Sequence, residues 1–113
     1  MGSFYKMKIR VSKYNPKNFA TILEALTGML EIYPAEMPDK QHKAPMPFSI
    51  TGEVNLCGGE TDKDFANDLV QSAWTANGRF CHVEVESTSI DYKLPSKKHT
   101  WTKGDYSEWR DGI

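Results

Sequence analysis

The stretch Phe4-Tyr5-Lys6-Met7-Lys8-Ile9-Arg10-Val11-Ser12 decides the fold. Tyr5, Met7, Ile9 and Val11 alternate with Lys6, Lys8, Arg10 and Ser12. Successive side chains on a strand point to opposite faces, so strict alternation means one face on a core and one in water. The stretch is read as a strand with a cationic wet face.

Downstream, Asn15-Pro16 reads as a helix start, because Asn caps free amides and Pro at the first helical position gives up an N–H that had no partner. Phe19, Ile22, Leu23, Leu26 and Leu30 then form one apolar stripe. Gly28 weakens the last turn, and Pro34 ends any continuation. Glu31-Ile32-Tyr33 opens a short edge strand over residues 31–37. Pro34, Pro38, Pro45 and Pro47 are four of the six prolines in the chain and enclose Lys40, His42 and Lys43. Such a segment cannot donate a regular ladder and is read as a loop or irregular edge. Loops of this length are usually functional or disordered, which makes Lys40, His42 and Lys43 candidate partner-binding residues.

Phe48, Ile50, Val54 and Leu56 alternate with Ser49, Thr51, Glu53 and Asn55, a second half-buried strand with Gly52 as a bulge or close approach. Gly58-Gly59 stops it. Thr61-Asp62-Lys63-Asp64 resembles a capping box with Asp in place of Glu. Phe65, Leu69, Ala73 and Ala76 make a helical stripe that Asn77-Gly78 ends. The last strand is expected over 80–92, where Cys81, Val83 and Val85 alternate with His82, Glu84 and Glu86.

With the 31–37 strand included, the order is βαββαβ, an α+β class with a ferredoxin-like antiparallel sheet and two helices on one face; without it, a three-stranded α+β sheet remains. The first strand should lie between the strand at 48–56 and the last one. A single domain is expected over 4–92. Residues 93–113 form a basic, aromatic C-terminal extension that either packs on the domain or binds a partner. Trp101, Tyr106 and Trp109 are its candidate anchors, because Trp, Tyr and Arg dominate interface hot spots. Asp105 and Glu108 suit the cap of one helical turn there.

The chain has 113 residues and a formal net charge of -1. One domain suits that length. Two cysteines exclude a disulfide framework. No apolar run approaches the ~20 residues of a membrane-spanning helix. Met1-Gly2-Ser3 reads as a cloning remnant, and with no secretory signal a cytoplasmic setting is expected. The near-neutral total conceals unlike parts: residues 1–18 carry five cationic and no acidic side chains, whereas 48–92 carry two cationic and eight acidic ones.

Few constellations point to chemistry. His82-Val83-Glu84 matches half of a zinc-deaminase signature but lacks the cysteine ligands, so no metal site and no cofactor are expected. Cys57 and Cys81 should both be free, because the topology separates their strands by the first strand. Cys57-Gly58-Gly59 is followed by acidic residues that repel an anion, and its glycine spacing is neither phosphate-loop pattern. No nucleophile elbow occurs.

Three readings follow. The chain is a small non-catalytic module, such as an inhibitor or accessory protein, that binds a protein partner through the proline-rich loop, the aromatic tail or a sheet edge. Alternatively it binds nucleic acid through Lys6, Lys8, Arg10, Lys97 and Lys98, although a base-stacking platform would want aromatics on that sheet face. The third reading is a small enzyme or ligand sensor. The sequence leaves the oligomeric state open.

Overall fold

The alternating stretch forms strand β1 (Ser3–Ser12). The computed structural model describes residues 3–30, 46–56, 58–90 and 95–112. Met7, Ile9 and Val11 are fully buried, while Lys6, Lys8 and Arg10 are exposed. β1 pairs antiparallel with β2 (Phe48–Leu56), Ile9 facing Ile50. On its other side it pairs antiparallel with β3 (His82–Ser89), Ile9 facing Val85. Aligned apolar residues on three strands fix the register, since a slip of one residue would turn each inner side chain outward.

Lys97–Thr100 adds a strand that the sequence reading did not assign. This is β4, and it pairs antiparallel with β3 to complete a sheet of order β2-β1-β3-β4. Lys-Lys-His-Thr shows no apolar alternation because the strand is a short edge, and its inward-facing partner for Val85 is His99. The α+β class with an antiparallel sheet is observed, with β1 between β2 and β3 as expected. The ferredoxin-like arrangement is not established by this strand order. The strand expected at 31–37 lies outside the described residues.

The first helix opens as a 3-10 turn (Pro16–Asn18), with the Asn15 side chain accepting from the Lys17 amide at 3.1 Å. It continues as α1 (Phe19–Thr27). α2 (Asp62–Asn77) starts with a reciprocal capping box: Asp64 N–H donates to Thr61 Oγ1 at 3.1 Å, and Thr61 N–H donates to Asp64 Oδ2 at 3.2 Å. Gly78, at φ 78°, ends α2 in the left-handed conformation that glycine adopts without a side-chain clash. Buried Asn77 ties the end of α2 to the start of the first helix. Its Oδ1 accepts from the Asn15 amide at 2.7 Å, and its backbone oxygen accepts from Asn18 Nδ2 at 2.7 Å.

Ile22 and Leu26 of α1, with Phe65, Leu69, Val70 and Ala73 of α2, cover the apolar face of the sheet. Gly52 is a close approach and not a bulge: the β1–β2 register runs through it unbroken, and a Cβ there would lie 2.6 Å from Leu30 Cδ1.

After β4, a second reciprocal capping box at Thr102 and Asp105 starts α3 (Lys103–Asp111). α3 lies against the domain, with the Trp74 ring 5.2 Å from Tyr106 and 5.5 Å from Trp109. Trp74 is buried and donates its Nε1–H to the Cys81 carbonyl at 3.0 Å. Among the described residues, no helix is long and apolar enough to cross a membrane.

Candidate functional site

The outer side of the helical layer carries three adjoining depressions along α2. One, of about 530 Å³, lies between α2 and α3 and is lined by Val70, Trp74, Trp101 and Trp109. A second, of about 560 Å³, runs from Ala25 and Met29 to Trp109. A third, of about 560 Å³, begins at Gly58-Gly59 and follows Asp64 and Asp68. Gln71 borders all three, so they form one groove.

The charge of this groove is one-sided. Among the described residues, Glu60, Asp64, Asp68, Asp105 and Glu108 border it, opposed by Lys63. Asp64 and Asp105 each commit one oxygen to a capping box. The indoles give the groove its apolar wall. Trp101 donates Nε1–H to Asn67 Oδ1 at 3.0 Å, which fixes its ring against α2. Trp109 packs on Trp74 and Tyr106, and the Tyr106 hydroxyl accepts from Arg110 Nη1 at 3.1 Å. All three tail aromatics are partly buried: Trp101 and Trp109 border the groove, and Tyr106 packs against Trp74 and Trp109.

A polar node joins the start of α2 to β3 and β4. Ser87 Oγ–H donates to Asp62 Oδ2 at 2.6 Å, and both residues are buried. His99 Nε2 lies 3.5 Å from Asp62 Oδ2 and 3.3 Å from Ser87 Oγ. Burial pushes the Asp62 carboxyl up, but the Ser87 hydrogen bond, the Lys97 charge and His99 together outweigh it and hold the carboxyl below its ordinary value. Serine, histidine and aspartate together invite comparison with a hydrolytic triad. In such a triad the hydroxyl faces the imidazole base and the imidazole is held by the carboxylate. Here the hydroxyl donates directly to the carboxylate and is 2% exposed, so it is closed to any substrate. The node clamps β4 and β3 to the first turn of α2.

The opposite, open face of the sheet carries Lys6, Lys8 and Arg10. Lys8 stands opposite Glu86, Arg10 opposite Glu84, and Lys6 is flanked by Glu53 and Thr88. Lys98 Nζ lies 3.9 Å from Glu84 Oε2. Lys97 belongs elsewhere: it faces the helical side, where its charge acts on Asp62. The five cations proposed for nucleic acid therefore do not form one patch. Four share the open face, interleaved with carboxylates, and the fifth lies across the sheet.

Cys81 is buried and free, and burial pushes its thiol up to about 12. Lys40, His42, Lys43 and Cys57 lie outside the described residues. Among the described residues, no group of three or more His, Cys, Asp or Glu side chains is placed to hold a metal ion. Sequence reasoning missed Asp62, Ser87 and His99 as a unit, and Gln71 and Asn67 as groove residues. The one signal for the groove was the density of aromatics at 101–109. Comparison with known proteins finds no matching family, no matching curated protein and no matching solved structure.

Proposed function

We propose that the chain is a non-catalytic interaction module, of the inhibitor or accessory type, that holds a basic segment of a protein partner in the groove along α2. The observation that carries this reading is the pairing, among the described residues, of five bordering carboxylates against one ammonium with two partly buried tryptophans in the same groove. A lysine or arginine side chain gains from both features at once, by charge pairing at the rim and by lying on an indole face. Tryptophans already ordered by Asn67 and Trp74 lose little freedom on binding, which favours an anchor role. The ferredoxin-like arrangement belongs to the same proposal, and β1 between β2 and β3 supports it.

Selection from a random displayed-peptide library tests this, with Asp68→Lys/Glu108→Lys and Trp109→Ala as comparison proteins. Both charge changes lie at exposed positions, where folding is insensitive to them. Enriched peptides should be rich in Lys and Arg and should lose binding to the charge-reversed protein by about tenfold or more. Enrichment of acidic peptides, or equal binding to wild-type and charge-reversed protein, overturns the proposal.

A further inference from the structure

A second depression lies on the other face, at the end of the sheet where β1, β3 and β4 meet. It encloses about 390 Å³ and is bordered by Arg10, Ser12, Lys13, His82, Thr100 and Trp101. This size is within the range of small-molecule sites, roughly 300–1,000 Å³. Among the described residues its one bordering carboxylate is Glu84, whose Oε2 lies 3.9 Å from Lys98 Nζ. Arg10 and Lys13 on the border and Lys98 beside it, among the described residues, stand against this one carboxylate.

Lys13 carries the argument further. Its φ is 54°, in the left-handed region, and it is the one non-glycine residue with positive φ among the described residues. A side chain there crowds its own backbone, whereas glycine occupies the region freely. Non-glycine residues held in this region cluster at binding and active sites. Lys13 is exposed, so packing gives no reason for a long side chain. A cationic side chain bordering the same depression as Arg10 does give one.

We infer that this depression is a binding site for a phosphate-bearing ligand of nucleotide size, with the phosphate held by Arg10, Lys13 and His82 and a planar ring set against Trp101. Arginine offers a planar fork of donors to phosphate oxygens, lysine a mobile point charge, and the Ser12 and Thr100 hydroxyls further donors. The indole supplies the stacking surface that base recognition requires. A free nucleotide and the 5′-phosphorylated end of a single strand share this chemistry. The site is separate from the α2 groove, and among the described residues only Thr100 and Trp101 border both.

The test titrates the full chain with AMP, UMP, adenosine, and a tetrathymidylate with and without a 5′-phosphate, followed by tryptophan fluorescence and amide NMR shifts. A mononucleotide should move the Arg10, Lys13 and His82 signals, and adenosine should bind at least about tenfold more weakly. Tighter binding of AMP or UMP than of the phosphorylated strand identifies a free nucleotide; the reverse order identifies a strand end. Lys13→Gly is the decisive variant. It relieves the backbone, so the melting temperature should hold or rise, while loss of one charged contact weakens binding about tenfold. Arg10→Gln should act similarly on binding. Equal affinity for adenosine and AMP, no shift at millimolar mononucleotide or phosphorylated strand, or unchanged binding in Lys13→Gly would overturn the assignment.

Discussion

Replacing Ser87 with alanine tests the view that the polar node clamps the C-terminal strand and helix to the domain. The substitution removes the hydroxyl that donates to Asp62 at 2.6 Å and leaves a buried carboxylate with one donor fewer. Hydrogen bonds to charged groups contribute about 1.5–3 kcal/mol. For a domain of this size, that corresponds to a fall in melting temperature of about 6–12 °C. The effect should also depend on pH in a defined direction. Burial raises the Asp62 carboxyl, and Ser87, Lys97 and His99 lower it by more, so its folded value lies below its unfolded one. A group depressed in this way contributes stability in full above the unfolded value of about 3.9, and the contribution disappears as pH falls through the folded value. Losing Ser87 moves the folded value back towards the unfolded one. Urea unfolding of both proteins at several pH values between about 7 and 3 should show the widest gap at neutral pH and a narrowing gap in acid. A gap of equal size throughout, or one below about 0.5 kcal/mol at neutral pH, refutes the clamp.

Two further outcomes check the fold. Gly52→Ala places a Cβ 2.6 Å from Leu30 Cδ1 and 3.3 Å from Leu30 Cβ, so it should cost about 1–3 kcal/mol in urea unfolding, and Leu30→Ala in the same chain should recover part of that loss. Cys81 should resist alkylation at pH 8 in the native protein and react once unfolded, because burial pushes its thiol up to about 12; peptide mapping by mass spectrometry reads this directly.

β1, β2 and the inner half of β3 were legible because each has one wet face, which leaves a period of two in the sequence. Thr61 and Gly78 were legible because caps are local: the donor and acceptor lie within a few residues of each other. β4 was not, since an edge strand held by one imidazole need not alternate. The node escaped for a related reason. Asp62 reads locally as an acidic residue in a helix's first turn, and its partners are 25 and 37 positions away with no pattern connecting them. Trp101 and Trp109 drew attention by type alone. What their neighbours add, from Asn67 to Gln71 and Glu108, becomes visible only when α2 and α3 are side by side.

The distribution of charge over the two faces gives the net charge its meaning. The cationic first segment lies across the open face and meets Glu53, Glu84 and Glu86 there at matched register positions. Exposed pairs of this kind contribute little to stability, about 0–1 kcal/mol each, but they do cancel the local field. Among the described residues, a further group of carboxylates borders the groove along α2, where Lys63 is the one cation. At one end of the open face, among the described residues, Arg10, Lys13 and Lys98 share one carboxylate, Glu84, so a positive excess remains there. Trp101 stands at the boundary between these regions, with β4 on one side and α3 on the other. The clamp on β4 therefore sets the position of a wall that both depressions share, and loosening it through Ser87 or Asp62 would disturb both surfaces without touching a residue that borders either.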